Sequence, residues 1–157
     1  MKRVNIISIT AVLLAVSLAS AGCNQSVVLG SKPTEEQLQE KTISNLHDAK
    51  LYCLGILLYA QKHQNVCPAN LSQTLPYLRT AERLPSGTNH FEIFYRGSFD
   101  KLPNTMTNGI IVIRSDSWQT TDGKRMRIYG FADGHCEAHS EPDDDFAAWE
   151  KQHSLSP

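Results

Sequence analysis

The chain has 157 residues, of which 41% are hydrophobic and 20% are charged, and its formal net charge is −1. This length favours one domain with a single hydrophobic core. Lys and Arg are scattered and form no stripe with interleaved aromatic residues, which argues against a nucleic-acid partner.

The first 23 residues have the pattern of a bacterial lipoprotein signal. Lys2 and Arg3 form a positive start, an apolar stretch follows, and small residues lead to Cys23. We therefore expect residues 1–22 to be removed and the Cys23 thiol to carry a covalent lipid. Such signals usually have leucine where Ser20 stands. A plain secretory signal and an uncleaved membrane helix are the alternatives, but polar residues dilute the apolar stretch.

Interpreting the leader as a lipoprotein signal also predicts the location and the domain organisation of the protein. Residues 23–33 would form a lipidated tether, and residues 34–157 a folded domain in the periplasm of a bacterial cell envelope. Asn24 stands where some lipoproteins carry an Asp that retains them in the inner membrane. We therefore expect an anchor in the outer membrane.

Three further cysteines, Cys53, Cys67 and Cys136, would lie in a compartment where disulfides persist. Sequence alone leaves open whether two of them form a bridge or all three are buried thiols. Their spacing matches neither a CxxC motif nor a zinc finger.

The strongest helix signal begins at Thr34, the expected N-cap, with Gln37 completing a capping box. The helix should continue to about Gln64. Its core-facing stripe has spacings of three and four: Leu46, Ala49, Cys53, Ile56, Leu57 and Ala60. A second line of apolar residues is formed by Leu51, Leu54 and Leu58. It predicts that the second half of the helix is covered more completely than the first. Gly55 interrupts this half, which suggests close approach of another backbone.

A short second helix is expected over Leu71–Leu78, and beyond residue 85 the periodicity becomes extended. Four strands are predicted: 91–96, 109–115, 125–132 and 135–140. Asp133-Gly134 predicts a hairpin with a two-residue turn between the last two strands. Trp118 is expected in the loop before the third strand.

A terminal helix is predicted over residues 142–153, with Phe146 and Trp149 docking on the body. The element order therefore predicts an α+β fold. A long N-terminal helix packs on a small antiparallel β-sheet, and a short C-terminal helix follows.

Several local strings, taken in this order, resemble bacterial type II secretion pseudopilins and related pilin-like proteins over about residues 40 to 140. They are Asn45-Leu46, Gly55-Ile-Leu-Leu-Tyr-Ala-Gln-Lys-His63, Leu71-Ser-Gln-Thr-Leu-Pro-Tyr-Leu78 and Phe131-Ala-Asp-Gly-His-Cys-Glu137. The resemblance implies a pilin-like interaction domain associated with secretion or pilus machinery. The prepilin leader and its filament-forming apolar helix are replaced here by the lipoprotein leader, so assembly through the usual helix stack is not expected.

Metal binding is the main chemical alternative. His135, Glu137 and His139 alternate along the last predicted strand and so share one face, which leaves Cys136 on the face toward the helix. This set suits zinc or copper, although a solvent-facing polar edge explains the same alternation. The acidic run at 143–145 offers oxygen ligands for calcium, which some pseudopilins bind, or it is the solvated start of a helix.

No hydrolase elbow, zinc-protease motif or phosphate-binding glycine loop is present, so no catalytic residue is assigned and no small-molecule substrate is inferred. Trp118 is the candidate partner contact, or else an aromatic lid over the sheet edge. The favoured function is that of a non-catalytic, lipid-anchored envelope protein that binds other proteins. The alternative is a metal-binding envelope protein or a metal-dependent enzyme.

Overall fold

A computed structural model describes residues 32–79, 81, 83–86, 90–103 and 109–155. The signal, Cys23 and most of the tether lie outside the described residues, so the predictions made for them stay predictions. Within the described part, no helix has both the length and the apolar character needed to cross a bilayer.

The described part consists of a helix on a small antiparallel sheet, followed by a short C-terminal helix. The helices are α1 (Glu35–Lys62) and α2 (Ala147–Gln152), with 3₁₀-helices at Leu71–Leu78 and Phe99–Lys101. The strands are β1 (Phe91–Ile93), β2 (Ile111–Ser115), β3 (Trp118–Gln119), β4 (Arg125–Phe131) and β5 (Cys136–Glu141). This arrangement confirms the α+β class.

The N-terminus of α1 confirms the capping box. The Thr34 backbone N–H donates to Gln37 Oε1 at 2.9 Å, and the Gln37 N–H donates to Thr34 Oγ1 at 3.3 Å. The helix ends at Lys62, slightly before the predicted Gln64. Gln64 and Asn65 have φ values of 54° and 55°, which a right-handed helix does not accept.

The predicted core stripe of α1 is largely confirmed, since Ala49, Cys53 and Ile56 are buried. The second apolar line is wrong at Leu54, which is 47% exposed. Tyr52 is buried instead, because the sheet and the 3₁₀-helix cover the helix on the two sides next to the stripe. Tertiary packing therefore rotates the buried face away from Leu54.

The predicted second helix is present as the 3₁₀-helix Leu71–Leu78, with Leu71 and Leu78 buried. Thr74, which the sequence analysis did not place in the core, is also buried. An added Cβ at Gly55 would lie 2.8 Å from Thr74 Cβ. The close approach inferred from Gly55 is confirmed, but a side chain makes it rather than a backbone.

All strand pairs are antiparallel, and β1 pairs with β2. One edge of β4 pairs with β3 near its start and with β2 near its end, and the other edge pairs with β5. The four predicted strands are confirmed; the first three are shorter than predicted, and the fourth is shifted by one residue to Cys136–Glu141. Trp118 was wrongly expected in a loop, because it lies in β3 opposite Met126 of β4. A two-residue strand is too short to show alternation, so no sequence period marks it.

The β4–β5 hairpin is confirmed, but its predicted two-residue turn is wrong. The Gly134 N–H donates to Phe131 O and the Phe131 N–H donates to His135 O, both at 2.9 Å. Only Gly134 has a positive φ, of 91°, within the turn. The connection is therefore a three-residue turn over 132–134, a form in which one glycine takes the left-handed position.

The two faces of β4 meet different layers. Ile128 and Gly130 face α1, whereas Tyr129 and Phe131 face α2.

The terminal helix is shorter than predicted and begins after Phe146, where the Asp145 carboxylate accepts from the Ala147 N–H at 3.1 Å. Phe146 is buried and the Trp149 ring centroid lies 4.5 Å from that of Tyr129, which confirms their predicted docking.

Candidate interaction surface

A groove of about 760 Å³ lies between the first half of α1 and the chain that connects β3 to β4. Gln37, Lys41 and Ser44 line its helix side, and Gln119 and Thr120 line its sheet side. The groove exists because the first three turns of α1 extend along the outside of the short strand β3. Lys32 and Pro33 also line it, so it adjoins the start of the domain.

Trp118 forms the floor of this groove and is not an exposed contact residue. Its side chain is 7% exposed, and Lys41 Nζ lies 5.1 Å from the ring centroid. The indole Nε1–H is buried and has no hydrogen-bond acceptor among the described residues. An unpaired buried donor costs about 1–3 kcal/mol, so an acceptor on a bound partner would lower this cost after a small movement.

The sheet side of the groove is fixed by a tight turn before β4. The Thr120 N–H donates to Lys124 O at 2.9 Å, and the Thr120 hydroxyl lies 2.5 Å from Asp122 Oδ1. The hydrogen bond from Thr120, with that from Lys124, lowers the pKa of Asp122. Gly123 has a φ of 90°, which accounts for glycine here. The groove wall is therefore preformed.

Charges of both signs surround the groove. Lys32 and Lys41 lie beside Glu40 in its lining, and Lys124 Nζ pairs with Asp122 Oδ2 at 3.2 Å. Such a mixed surface favours a polar protein segment over a polyanion.

The terminal helix α2 packs against the His139 end of the face proposed for a metal, whereas His135 is exposed. The His139 ring stacks on Trp149 with 4.2 Å between centroids, and the His135 ring stacks on Phe131 at 4.1 Å. The interpretation of this face as a solvent-facing polar edge is therefore wrong at His139, whereas Glu137 is exposed. The terminal helix supplies the cover, and its docking could not be derived from strand alternation.

Both histidines also have carboxylate partners outside the proposed metal set. His135 Nδ1 lies 2.6 Å from Asp133 Oδ1, and His139 Nε2 lies 2.8 Å from Glu141 Oε1. Burial opposes ionisation of Asp133, but hydrogen bonds from the backbone and ring of His135 outweigh it and lower its pKa. In the described ranges, no three His, Cys, Asp or Glu side chains form a group that could hold a metal ion. Neither the zinc or copper site nor the calcium site at 143–145 gains support.

A buried carboxylate that no sequence pattern indicated attaches α2 to the sheet. Glu150 is 8% exposed and accepts from Arg114 Nη1 at 2.5 Å and from Arg127 Nη1 at 2.7 Å. The Tyr129 hydroxyl also donates to it at 2.8 Å, and burial together with this carboxylate raises the pKa of Tyr129. Through these contacts Glu150 links α2 to β2 and β4.

A second missed carboxylate lies on α1. Asp48 is buried, and its Oδ2 accepts from the backbone N–H of Ser86 at 2.9 Å and from the Ser86 hydroxyl. Arg83 lies 3.6 Å from Oδ1. Burial and the negative charge of Asp48 raise the pKa of Tyr52 to about 12. These contacts attach the chain near residue 86 to α1, beside the groove.

Comparison of the chain with models of known families, with curated proteins and with solved structures gave no match in any of the three.

Proposed function

We propose that this protein is a non-catalytic, lipid-anchored component of the bacterial cell envelope that binds another envelope protein through the groove above Trp118. The groove itself carries this proposal. Its walls are fixed by α1 and by the turn before β4, and its volume of about 760 Å³ suits several side chains of a partner segment.

The position of the groove supports an envelope role. Lys32 and Pro33 line it, and they are the last two residues of the proposed tether. A partner bound here would therefore lie near the point where the tether enters the domain.

The pilin-like part of the proposal is supported by the strings shared with type II secretion pseudopilins and by the element order. A long N-terminal helix precedes an antiparallel sheet, and the hairpin string Phe131–Glu137 lies at the β4–β5 turn. We propose that the protein associates with secretion or pilus machinery without polymerising, because the lipid replaces the helix that would pack a filament core.

The anchor is tested by mass spectrometry of the mature N-terminus after the full chain is expressed in a Gram-negative host. We expect Cys23 as the first residue, with a diacylglyceryl group on its thiol. Cys23→Ala is the control and should abolish the lipid mass. A mature chain that starts at an unmodified residue would overturn the anchor.

The groove is tested by site-specific photo-crosslinking in living cells. A photoreactive residue replaces Gln119, which is exposed on the groove wall, and the matched control carries it at Glu137, exposed on β5 outside the groove. We expect a discrete crosslinked envelope protein from position 119 alone. Equal products from both positions, or none from either, would contradict binding at the groove.

A further inference from the structure

Two of the described cysteines face each other between α1 and the sheet. Cys53 Sγ and Cys136 Sγ are 3.9 Å apart, although 83 positions separate the residues in the chain. Cys53 is 1% exposed, whereas Cys136, the first residue of β5, is half-buried. The pair therefore joins an inaccessible thiol to one that solvent reaches.

A glycine makes room for this pair. Gly130 is the partner of Cys136 across the β4–β5 ladder, and an added Cβ at Gly130 would lie 2.3 Å from Cys53 Sγ. The Cys53 sulfur thus occupies the space above Gly130, directly beside Cys136. Any Cβ at position 130 would force the Cys53 sulfur and the Ile113 side chain to shift.

We propose that Cys53 and Cys136 form an intramolecular disulfide that links the middle of α1 to the start of β5. An S–S bond is about 2.05 Å long, so the sulfurs must approach by about 1.9 Å from their separation of 3.9 Å. Rotation of the half-buried Cys136 side chain provides part of this movement. The inference does not depend on the groove or its partner.

Cys67 does not belong to the pair. It is buried, and burial raises its pKa to about 12 against the opposing charge of Arg96. The described residues give it no sulfur contact comparable to that between Cys53 and Cys136. A thiol with this pKa and little exposure reacts slowly with oxidants, so Cys67 should remain reduced.

The reaction is thiol–disulfide exchange with a disulfide oxidant, either a protein oxidoreductase or oxidised glutathione. The hydrogen bond from Cys53 lowers the pKa of Cys136, and the positive charge of Lys50 lowers it further, whereas burial raises it. The Cys136 thiolate attacks one oxidant sulfur, forms a mixed disulfide and releases the first thiol. Cys53 loses its proton and attacks Cys136 Sγ, which expels the second thiol. Two protein thiols lose two electrons and two protons, and the oxidant disulfide becomes two thiols.

The bond is tested on the full chain, purified in detergent, reduced, and then incubated with oxidised glutathione. Acid quenching and alkylation precede a non-reducing peptide map. We expect a linked pair of peptides containing Cys53 and Cys136, with Cys67 alkylated once the chain is unfolded. Recovery of Cys53 and Cys136 as alkylated thiols, or a bridge that includes Cys67, would overturn the proposal.

Thermal unfolding gives a second readout. Reductant should lower the unfolding midpoint of the oxidised protein by about 15 °C, and Cys67→Ser should respond equally. Cys136→Ser, at a half-buried position that tolerates the change, should have the midpoint of the reduced protein and no response to reductant. An identical midpoint for oxidised and reduced wild type would contradict a linkage between α1 and β5.

Discussion

Replacing Glu150 by Gln tests whether the buried carboxylate holds α2 on the sheet. The substitution keeps the side-chain shape but removes the charge that Arg114 and Arg127 contact at 2.5 and 2.7 Å. It also places an amide NH₂ against a guanidinium group that can only donate. Arg127 would then lose the carboxylate it contacts, and Arg114 would keep only the exposed Glu92.

The expected loss follows from the number of contacts and from their exposure. A hydrogen bond to a charged group contributes about 1.5–3 kcal/mol to stability. The Arg114 and Arg127 side chains are 27% and 18% exposed, and solvent screening reduces each contribution. We therefore expect a decrease of about 3 kcal/mol in the free energy of unfolding, or about 12 °C in the midpoint for a domain of this size.

The matched control is Glu92→Gln, which removes a carboxylate from the same Arg114. Glu92 Oε1 lies 2.6 Å from Arg114 Nε, but the Glu92 side chain is 59% exposed. An exposed ion pair contributes less than about 1 kcal/mol. Urea unfolding of both variants of the full chain, followed by circular dichroism, compares the losses. Equal losses for the two variants would refute the argument that burial sets the strength of this network.

Two further predictions concern the hairpin. Gly130→Ala should cost about 1–3 kcal/mol of stability, because its Cβ would overlap Cys53 Sγ. Gly109→Ala, whose Cβ would have no atom of the described residues within 4 Å, should be near neutral. Equal losses in urea unfolding would argue against the overlap. The lowered pKa of Asp133 means that its contribution is present above its unfolded pKa of about 3.9 and is lost as pH falls through the lower folded value. Asp133→Asn should therefore flatten the loss of thermal stability below about pH 4, while an unchanged acid slope would rule out a role for its bonds to His135.

Local signals explain which parts of the fold the sequence could predict. Thr34 and Gln37 define a helix start through contacts only three residues apart, so the capping box is readable from the chain alone. The same holds for the β4–β5 hairpin, where Gly134 identifies the turn, although the turn type depends on φ values that the dipeptide does not determine. Where the decisive contact is local, the sequence is sufficient.

The groove and the Glu150 network depend on contacts between distant parts of the chain. Arg114 and Arg127 reach Glu150 from two strands, 36 and 23 residues away, and neither strand carries a pattern that indicates a buried carboxylate on α2. Trp118 forms the groove floor only because its two-residue strand lies beside α1. Side-chain periodicity shows which face of a helix or strand is buried, but it does not show which element packs against that face.

For the cysteine pair, side-chain periodicity predicted the two orientations but not the contact between them. The helix stripe placed Cys53 toward the core, and strand alternation placed Cys136 toward the helix, so each orientation was predicted separately. Their pairing depends on which turn of α1 crosses the start of β5. The register of Gly130 opposite Cys136 and the absence of a side chain at Gly130 determine that crossing. Since a glycine in a strand also fits a bulge or a weak edge, its meaning at position 130 becomes specific only when Cys53 is found above it.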